Sequence, residues 1–398
     1  AAAVTMVWLV VSYRAIAEGA GYYGQTEVIL ATIMLVTLLY ATWIAFGAAL
    51  PLIAIAFLLY ALYGRSMPDL ISHRGLGWAS LATGNYLTTK GVMGMALGVV
   101  ADVVLFFLLF SSFLAHTGAS ATFVRLSQLV VGRVRGGPAK IAVVGSALMG
   151  TISGSAVANV AASGTITIPM MKSSGYRPQL AASIEAVASS GSQLMPPIMG
   201  AAVFIMADML GMGYAPILLA ALIPALLYYA NLFLVVDLEA AKSGLSGLEQ
   251  IDRKQTRAIL RDAVFVLAPL VILFAMVMMQ YSPRYAALVA LGILLVLNLL
   301  NPRSRLTLRS YFDGIVDGMI SAAPLVVAVA AAGIVIGVVE VTGAGLNLTT
   351  LMSQAAQNSL LLLLVLTMVS SIILGMGLPT VACYIILALI VAPVMVRL

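Results

Sequence analysis

Apolar positions along this chain form long uninterrupted runs that short polar stretches separate. Thr26–Phe46, Gly91–Ala115 and Tyr214–Val236 are each long enough to cross a hydrocarbon core of ~30 Å as a helix. The runs lack the alternation of apolar and polar positions that membrane strands need, so helices are favoured. The pattern predicts an all-α polytopic membrane protein. Further spans are predicted at Gly47–Tyr63, Ala263–Gln280, Tyr285–Leu300 and Ala322–Val341, and the apolar stretches Leu360–Leu374 and Val381–Val396 are predicted on the two sides of a break that would form a second hairpin.

Two polar stretches in the second half are predicted to lie at the membrane surface. Asp237–Asp262 is the only sustained hydrophilic stretch, and we expect a surface loop with a short amphipathic helix there. The segment "YFDGIVDGMI", Tyr311–Ile320, is predicted to be a separate interfacial helix.

Composition agrees with a membrane protein and narrows the function classes. Hydrophobic residues make up 62% of the 398 residues and charged residues only 9%, with a mean hydropathy of +1.11. Soluble proteins carry about 25% charged residues. The net charge of +6 comes from basic residues in loops, which indicates membrane orientation rather than a nucleic-acid partner. One cysteine and two histidines exclude an internal disulfide and a metal cluster, and a Walker A motif and a nucleophile–base–acid set are both missing.

One segment departs from the lipid-facing pattern. "GTISGSAVANVAASGTITIP", Gly150–Pro169, has no charge and no aromatic residue and consists mostly of Gly, Ala, Ser and Thr. Two half-helices can enter a bilayer and turn back if the turn's free backbone groups lie against protein or water. Amides at a half-helix N-terminus suit a carboxylate, and unwound carbonyls suit Na⁺. The segment is therefore interpreted as a re-entrant hairpin with a binding site at its tip; a packing face of small residues is the alternative.

A weak internal repeat supports the binding-site interpretation. Thr151–Met171 aligns with Gly375–Met395, each placing a small-residue break after an apolar half-helix and a proline about 16 residues beyond its start. Further breaks occur at "SSGSQLMPP" (Ser189–Pro197) and "GMGLPT" (Gly375–Thr380). The second copy ends before any counterpart of "SGSQLMPP", so we expect the sequence to be a fragment of a longer chain.

Four acidic residues lie in or near apolar segments: Asp102, Glu185, Asp208 and Glu340. An unpaired carboxylate is costly inside a bilayer, so each is a functional candidate. For Asp208 and Glu340 a position in the headgroup zone is the alternative. Glu185 lies between the hairpin and "SSGSQLMPP", and either a role in coupling-ion or proton binding or a buried supporting role fits it.

The block Gly136–Gly211 closely resembles the large membrane subunit of TRAP (tripartite ATP-independent periplasmic) transporters. Ala221–Leu248 and "LGMGLPTVACYII", Leu374–Ile386, fit the same family. Within it, the chain looks most like the fused permeases that work with TAXI-type binding proteins.

The resemblance implies an inverted-repeat, elevator-type secondary transporter in the prokaryotic inner membrane. A periplasmic binding protein would deliver an organic acid such as a dicarboxylate, and a Na⁺ or H⁺ gradient would drive uptake without another cofactor. It also implies a domain organisation along the chain. The expected parts are the tail of a fused small subunit (1–47), scaffold helices (48–135), the first hairpin and half of the transport domain (136–211), further scaffold helices and loops (212–321) and an incomplete second transport half (322–398).

The site residues implied by the resemblance lie at the breaks. For the substrate they are Ser153, Gly154, Ser155, Asn159, Ser190, Gly191, Ser192, Pro196, Pro197 and Pro379. For the coupling ion they are Gly375, Gly377 and Thr380, and Glu185 would serve if the ion is a proton. A carboxylate carrier that needs no binding protein is the main alternative, followed by an intramembrane enzyme or a structural scaffold.

Overall fold

The computed structural model describes residues 2–19, 23–68, 71–248, 252–300, 306–344, 359–376 and 378–397, with side chains through residue 388. Every regular element in these ranges is a helix, which confirms the all-α prediction. The α-helices are α1 (Ala2–Val11), α2 (Tyr13–Glu18), α3 (Gln25–Phe46), α4 (Ala49–Leu62), α5 (Trp78–Tyr86), α6 (Met95–Val99), α7 (Leu105–His116), α8 (Ala119–Val131), α9 (Gly137–Ser153), α10 (Ala156–Ser173), α11 (Pro178–Ser190), α12 (Ala202–Met209), α13 (Tyr214–Lys242), α14 (Arg253–Met278), α15 (Pro283–Leu300), α16 (Leu308–Thr342), α17 (Leu360–Gly375) and α18 (Thr380–Arg397).

Six helical stretches are long and apolar enough to cross a membrane, within the part of the chain described. They are α3, the continuous stretch Met95–His116, α13, α14, α15 and α16. The stretch Met95–His116 joins α6 to α7 through a π-helical turn at Val100–Val104. The polytopic prediction is therefore confirmed.

The chain divides into two compact units, and the boundaries fall inside the stretch Met95–His116 and inside α16. The first unit comprises Ala1–Ala101 and Ala322–Leu398. In it α3 packs against α1, α4 and α5, and Tyr86 Oη donates a hydrogen bond to Thr5 O at 2.8 Å. The turn before α6 lies so close to α16 that a Cβ on Gly333 would stand 2.6 Å from Gly91 O. Glycine at these positions permits the contact.

The second unit, Asp102–Ser321, is built around the helical pair α9 and α10. These helices pack on α11 and α13 through a core that is rich in alanine, which lets the backbones approach closely. The buried core residues are Ala139, Ala142, Val143, Met171, Tyr176, Ala181, Ile184, Ala188, Tyr229, Leu232 and Val236.

Several predicted boundaries were wrong. Tyr311–Ile320 is not a separate interfacial helix, because α16 runs without interruption from Leu308 to Thr342. Its Gly314 and Gly318 lie against α7, and Ser112 Oγ donates to Gly314 O at 2.8 Å. Glycines that break an isolated helix are tolerated here because a neighbouring helix uses the space they leave.

The hydrophilic stretch Asp237–Asp262 is also more helical than predicted. Helix α13 continues to Lys242, and α14 begins at Arg253, so the basic residues up to Arg261 form the first turns of a membrane helix rather than a separate one. Lys, Arg, Gln and Ala are good helix formers, and charged residues at a helix end can remain in the headgroup region. The apolar run Ile198–Leu210 is by contrast less helical than its composition indicates, because its α-helix covers only Ala202–Met209.

Candidate functional site

The predicted first hairpin is a helix–break–helix unit. Helix α9 ends at Ser153, Gly154 adopts the left-handed conformation with φ +55°, and Ser155 caps α10 by accepting a hydrogen bond from the Ala158 amide at 3.3 Å. A left-handed glycine followed by a serine cap ends one helix and begins the next within two residues. The three tip residues Ser153, Gly154 and Ser155 are each partly exposed.

The tip packs against the broken segment that follows α11. A Cβ on Gly154 would stand 1.7 Å from Met199 O, and a Cβ on Gly150 would stand 2.7 Å from Ser192 Cα. Only glycine permits these two approaches, so the hairpin and the return segment form one structure. The predicted tip residues of the hairpin therefore lie beside the predicted return segment.

The return segment consists of a 3₁₀ turn at Gly191–Leu194 and irregular backbone up to α12. It contains a cis peptide bond between Pro196 and Pro197. Tyr214 Oη donates to the carbonyl oxygens of Pro197 and Ile198, at 2.6 and 3.1 Å, and the Tyr214 ring stacks on Phe204. This arrangement holds non-helical backbone against the tip.

Ser192 stands out within the return segment. Its side chain is 0% exposed, and among the described residues its Oγ has no hydrogen-bond partner. A buried hydroxyl without a partner costs about 1–3 kcal/mol, so such groups call for an explanation. Ser192 lies directly against Gly150, one turn before the hairpin tip. Neighbouring Ser190 differs, because its exposed hydroxyl donates to Ala186 O at 2.8 Å.

Asn159 does not lie with the tip residues. It is buried one turn into α10, and its Nδ2 donates to Ser146 O on α9 at 2.9 Å. The side chain therefore joins the two arms of the hairpin. A role for Asn159 in substrate binding stays a prediction.

Glu185, on α11, is fully buried behind the hairpin. Its carboxyl oxygens accept hydrogen bonds from Ser163 and Thr167, both at 2.5 Å, from Ser189 at 3.2 Å and from Ser146 at 3.4 Å. These hydroxyls come from α9, α10 and α11, so one carboxyl group links all three helices. Gly164 lets α10 approach it closely, since a Cβ there would stand 3.3 Å from Glu185 Cγ.

The other three acidic candidates are exposed. Asp102 forms an ion pair with Arg284 at 3.3 Å, and Asp208 and Glu340 lie near the ends of α12 and α16. Of the four acids, Glu185 alone is buried.

Sequence reasoning missed an ion-pair anchor at the base of the hairpin. The basic residues are predicted to lie in loops, yet Lys140 lies on α9, is 4% exposed, pairs with Asp237 of α13 at 2.5 Å and lies over the Phe233 ring. Arg135 binds the other oxygen of Asp237. Burial raises the pKa of nearby Tyr176 to about 12, and the negative charge of Asp237 acts in the same direction. A lysine within the apolar run "PAKIAVV" was the available signal.

The second predicted hairpin belongs to the first unit. Helices α17 and α18 pack together, and between them Leu378 and Pro379 are not helical. Gly375 and Thr380 are exposed at the two sides of this break. Gly377 lies outside the described residues, and the roles predicted for Gly375, Pro379 and Thr380 stay predictions.

Comparison with known proteins identifies the family. The profile "Tripartite ATP-independent periplasmic transporter, DctM component" matches residues 32–398. The chain belongs to this family. It is a multi-pass protein of the prokaryotic inner membrane and a transporter component rather than an enzyme.

The individual proteins that the chain resembles include one named as a TRAP permease and two named as uncharacterized proteins. The chain is 31% identical to the C4-dicarboxylate TRAP transporter large permease protein DctM of Pseudomonas aeruginosa over 46% of this chain and 43% of the relative. It is 28% identical to the Uncharacterized protein y4mL of Sinorhizobium fredii (58% and 55%) and 31% identical to YgiK of Salmonella typhimurium (40% and 36%). The chain thus spans about half the length, or less, of these relatives.

Proposed function

We propose that this DctM-family chain is the membrane permease of a TRAP-type secondary carrier that takes up an organic acid. A periplasmic binding protein, of TAXI type by the resemblance of Gly136–Gly211, delivers the substrate. A cation gradient, with Na⁺ as the first candidate, drives uptake through an elevator motion of the hairpin domain. The DctM name of the Pseudomonas relative supports a carboxylate or dicarboxylate as substrate.

The observation that carries the proposal is the unpartnered Ser192 hydroxyl beside the broken hairpin tip. Hydroxyl and backbone carbonyl oxygens are hard, neutral donors that suit Na⁺ and can release it once in each cycle. The first amides of α10 point towards the same tip, and amides at a helix N-terminus favour a carboxylate. Cation and carboxylate would therefore bind next to each other and neutralise each other's charge.

Thermal unfolding of the purified permease in detergent tests the cation site. Unfolding is measured against NaCl concentration, with choline chloride at equal ionic strength as control. A ligand that binds only the folded state stabilises it by about 2.7 kcal/mol at a hundredfold excess over Kd. We expect NaCl to raise the unfolding temperature more than choline chloride does. Ser192→Ala, at the first hairpin, should abolish this Na⁺-specific rise, and Thr380→Val, at the second hairpin, should reduce it.

Ser192→Ala also separates binding from folding. Because the hydroxyl has no hydrogen-bond partner among the described residues, the variant should be at least as stable as the parent in choline chloride. A Na⁺-specific rise that survives Ser192→Ala would place the ion elsewhere. No Na⁺-specific rise in the parent protein would contradict sodium coupling.

A further inference from the structure

The surroundings of Glu185 consist of neutral hydrogen-bonding groups. Ser146 of α9, Ser163 and Thr167 of α10 and Ser189 of α11 form what we call the hydroxyl cluster, and all four are directed at the carboxyl oxygens. Among the described residues, none of the four hydroxyls and neither carboxyl oxygen forms a hydrogen bond to the tip (Ser153–Ser155) or to the 3₁₀ turn of the return segment (Gly191–Leu194). The cluster is therefore separate from the proposed cation site.

A compensating positive charge is missing from the described surroundings of Glu185. The basic groups on the helices around it are Lys140, which pairs with Asp237 on α13, and three exposed residues at helix ends, namely Lys172 of α10, Arg177 directly before α11 and Lys242 of α13. The phenol of Tyr229 on α13 donates to Ala188 O at 3.0 Å. None of these groups forms an ion pair with Glu185 in the ranges described. A buried ion without a partner is costly, so a proton is the simplest way to neutralise it.

The hydrogen-bond geometry accommodates both charge states of Glu185. Thr167 Oγ1 lies 2.5 Å from Glu185 Oε2 and 3.0 Å from Ser163 O. Ser163 Oγ lies 2.5 Å from Glu185 Oε1 and 2.8 Å from Asn159 O. Each hydroxyl has one proton and more than one acceptor, two for Thr167 and three for Ser163, whose third acceptor is Asn159 Oδ1 at 3.1 Å.

These choices allow protonation without movement of the helices. When Glu185 is ionised, Ser163 and Thr167 donate to its two oxygens. When a proton arrives on Oε2, the new O–H donates to Thr167 Oγ1, and the Thr167 proton turns to Ser163 O. Rotation of a hydroxyl thus exchanges one satisfied network for another.

We propose that Glu185 is a reversible proton-binding site within the first hairpin domain, and that its proton contributes to energy coupling in addition to the cation at the tip. The role in coupling rests on the proposed transport function, whereas the binding of the proton does not. The step is a simple addition of a proton to a carboxylate, taken from and returned to water. Protonation leaves the hairpin domain without a net charge at this position when it moves within the bilayer.

The test is an infrared titration of the purified permease, which needs no substrate. A buried carboxylic acid gives a carbonyl band that shifts in deuterated buffer and is lost on ionisation. We expect one such band to grow as the pH falls from alkaline to acidic. It should be missing from Glu185→Gln and unchanged in Asp208→Asn, a matched control at an exposed acid.

Thr167→Val keeps the test decisive if Glu185→Gln does not fold. Valine retains the shape of threonine but removes the hydrogen bond between residue 167 and Glu185 Oε2. The titrating carbonyl band should therefore move to higher frequency. The proposal is overturned by a band that does not change with pH, by the lack of any such band, or by a titrating band that neither variant alters. Because the titration involves no substrate, any of these results would leave the proposed carrier function intact. Conversely, failed uptake together with a normal titration would contradict the carrier function and leave the proton-binding site intact.

Discussion

Replacement of Gly154 by alanine probes the contact between the hairpin tip and the return segment. The residue has φ +55°, and an added Cβ would stand 1.7 Å from Met199 O, far inside the 3.0 Å limit for real Cβ contacts. The left-handed conformation costs an alanine about 1–2 kcal/mol. Overpacking adds roughly 1–3 kcal/mol, because the obstacle is backbone rather than a flexible side chain. The expected loss of stability is about 2–5 kcal/mol.

Gly211→Ala is the matched control for this variant. Gly211 belongs to the same unit, has φ +61° and would meet no atom within 4 Å of an added Cβ. It should lose only the conformational part, about 1–2 kcal/mol. Thermal unfolding of both variants in detergent, with and without NaCl, measures how much more stability Gly154→Ala loses than Gly211→Ala. Gly154→Ala alone should also lose the Na⁺-specific rise in unfolding temperature. Equal losses in the two variants would refute the packing of Gly154 on Met199.

Two further variants test other contacts in the two units. Lys140→Met leaves Asp237 without its buried partner and should destabilise the protein by roughly 1–3 kcal/mol in chemical unfolding; unchanged stability would mean that the pair does not anchor the hairpin. Gly333→Ala should destabilise the first unit, because its Cβ would stand 2.6 Å from Gly91 O. Gly292→Ala, which meets nothing within 4 Å, should instead gain up to about 1 kcal/mol of helix propensity, and the two melting shifts should have opposite signs.

The positions where helices are interrupted could be predicted from the sequence, because the residues that indicate them are local. A run of Gly, Ser and Ala around Gly154 in an otherwise apolar chain indicates the hairpin turn, and the structure ends α9 there. Continuous helices were harder to predict. In α16, the polar and glycine residues near Gly314 are typical of a helix end, but the helix continues because these glycines pack against α7.

The arrangement around Glu185 depends on contacts between helices. The spacing of Ser163 and Thr167 shows that they share a face of α10, yet it does not show that Glu185 of α11 faces them. Lys140 is similar, since its partner Asp237 lies 97 residues later in the chain. Such pairings follow from tertiary packing, and a single sequence carries no direct signal for them.

The central claim is that the chain works as the permease of a binding-protein-dependent carrier, and reconstituted transport tests it most directly. The expected periplasmic binding protein, sought among the genes beside the permease gene, is purified, and its bound organic acid is identified by mass spectrometry. Uptake of that acid, radiolabelled, is then measured in proteoliposomes with and without the binding protein and with and without an inward Na⁺ gradient. The account predicts accumulation only when both are present. Equal accumulation without the binding protein would contradict it and favour a self-sufficient carboxylate carrier.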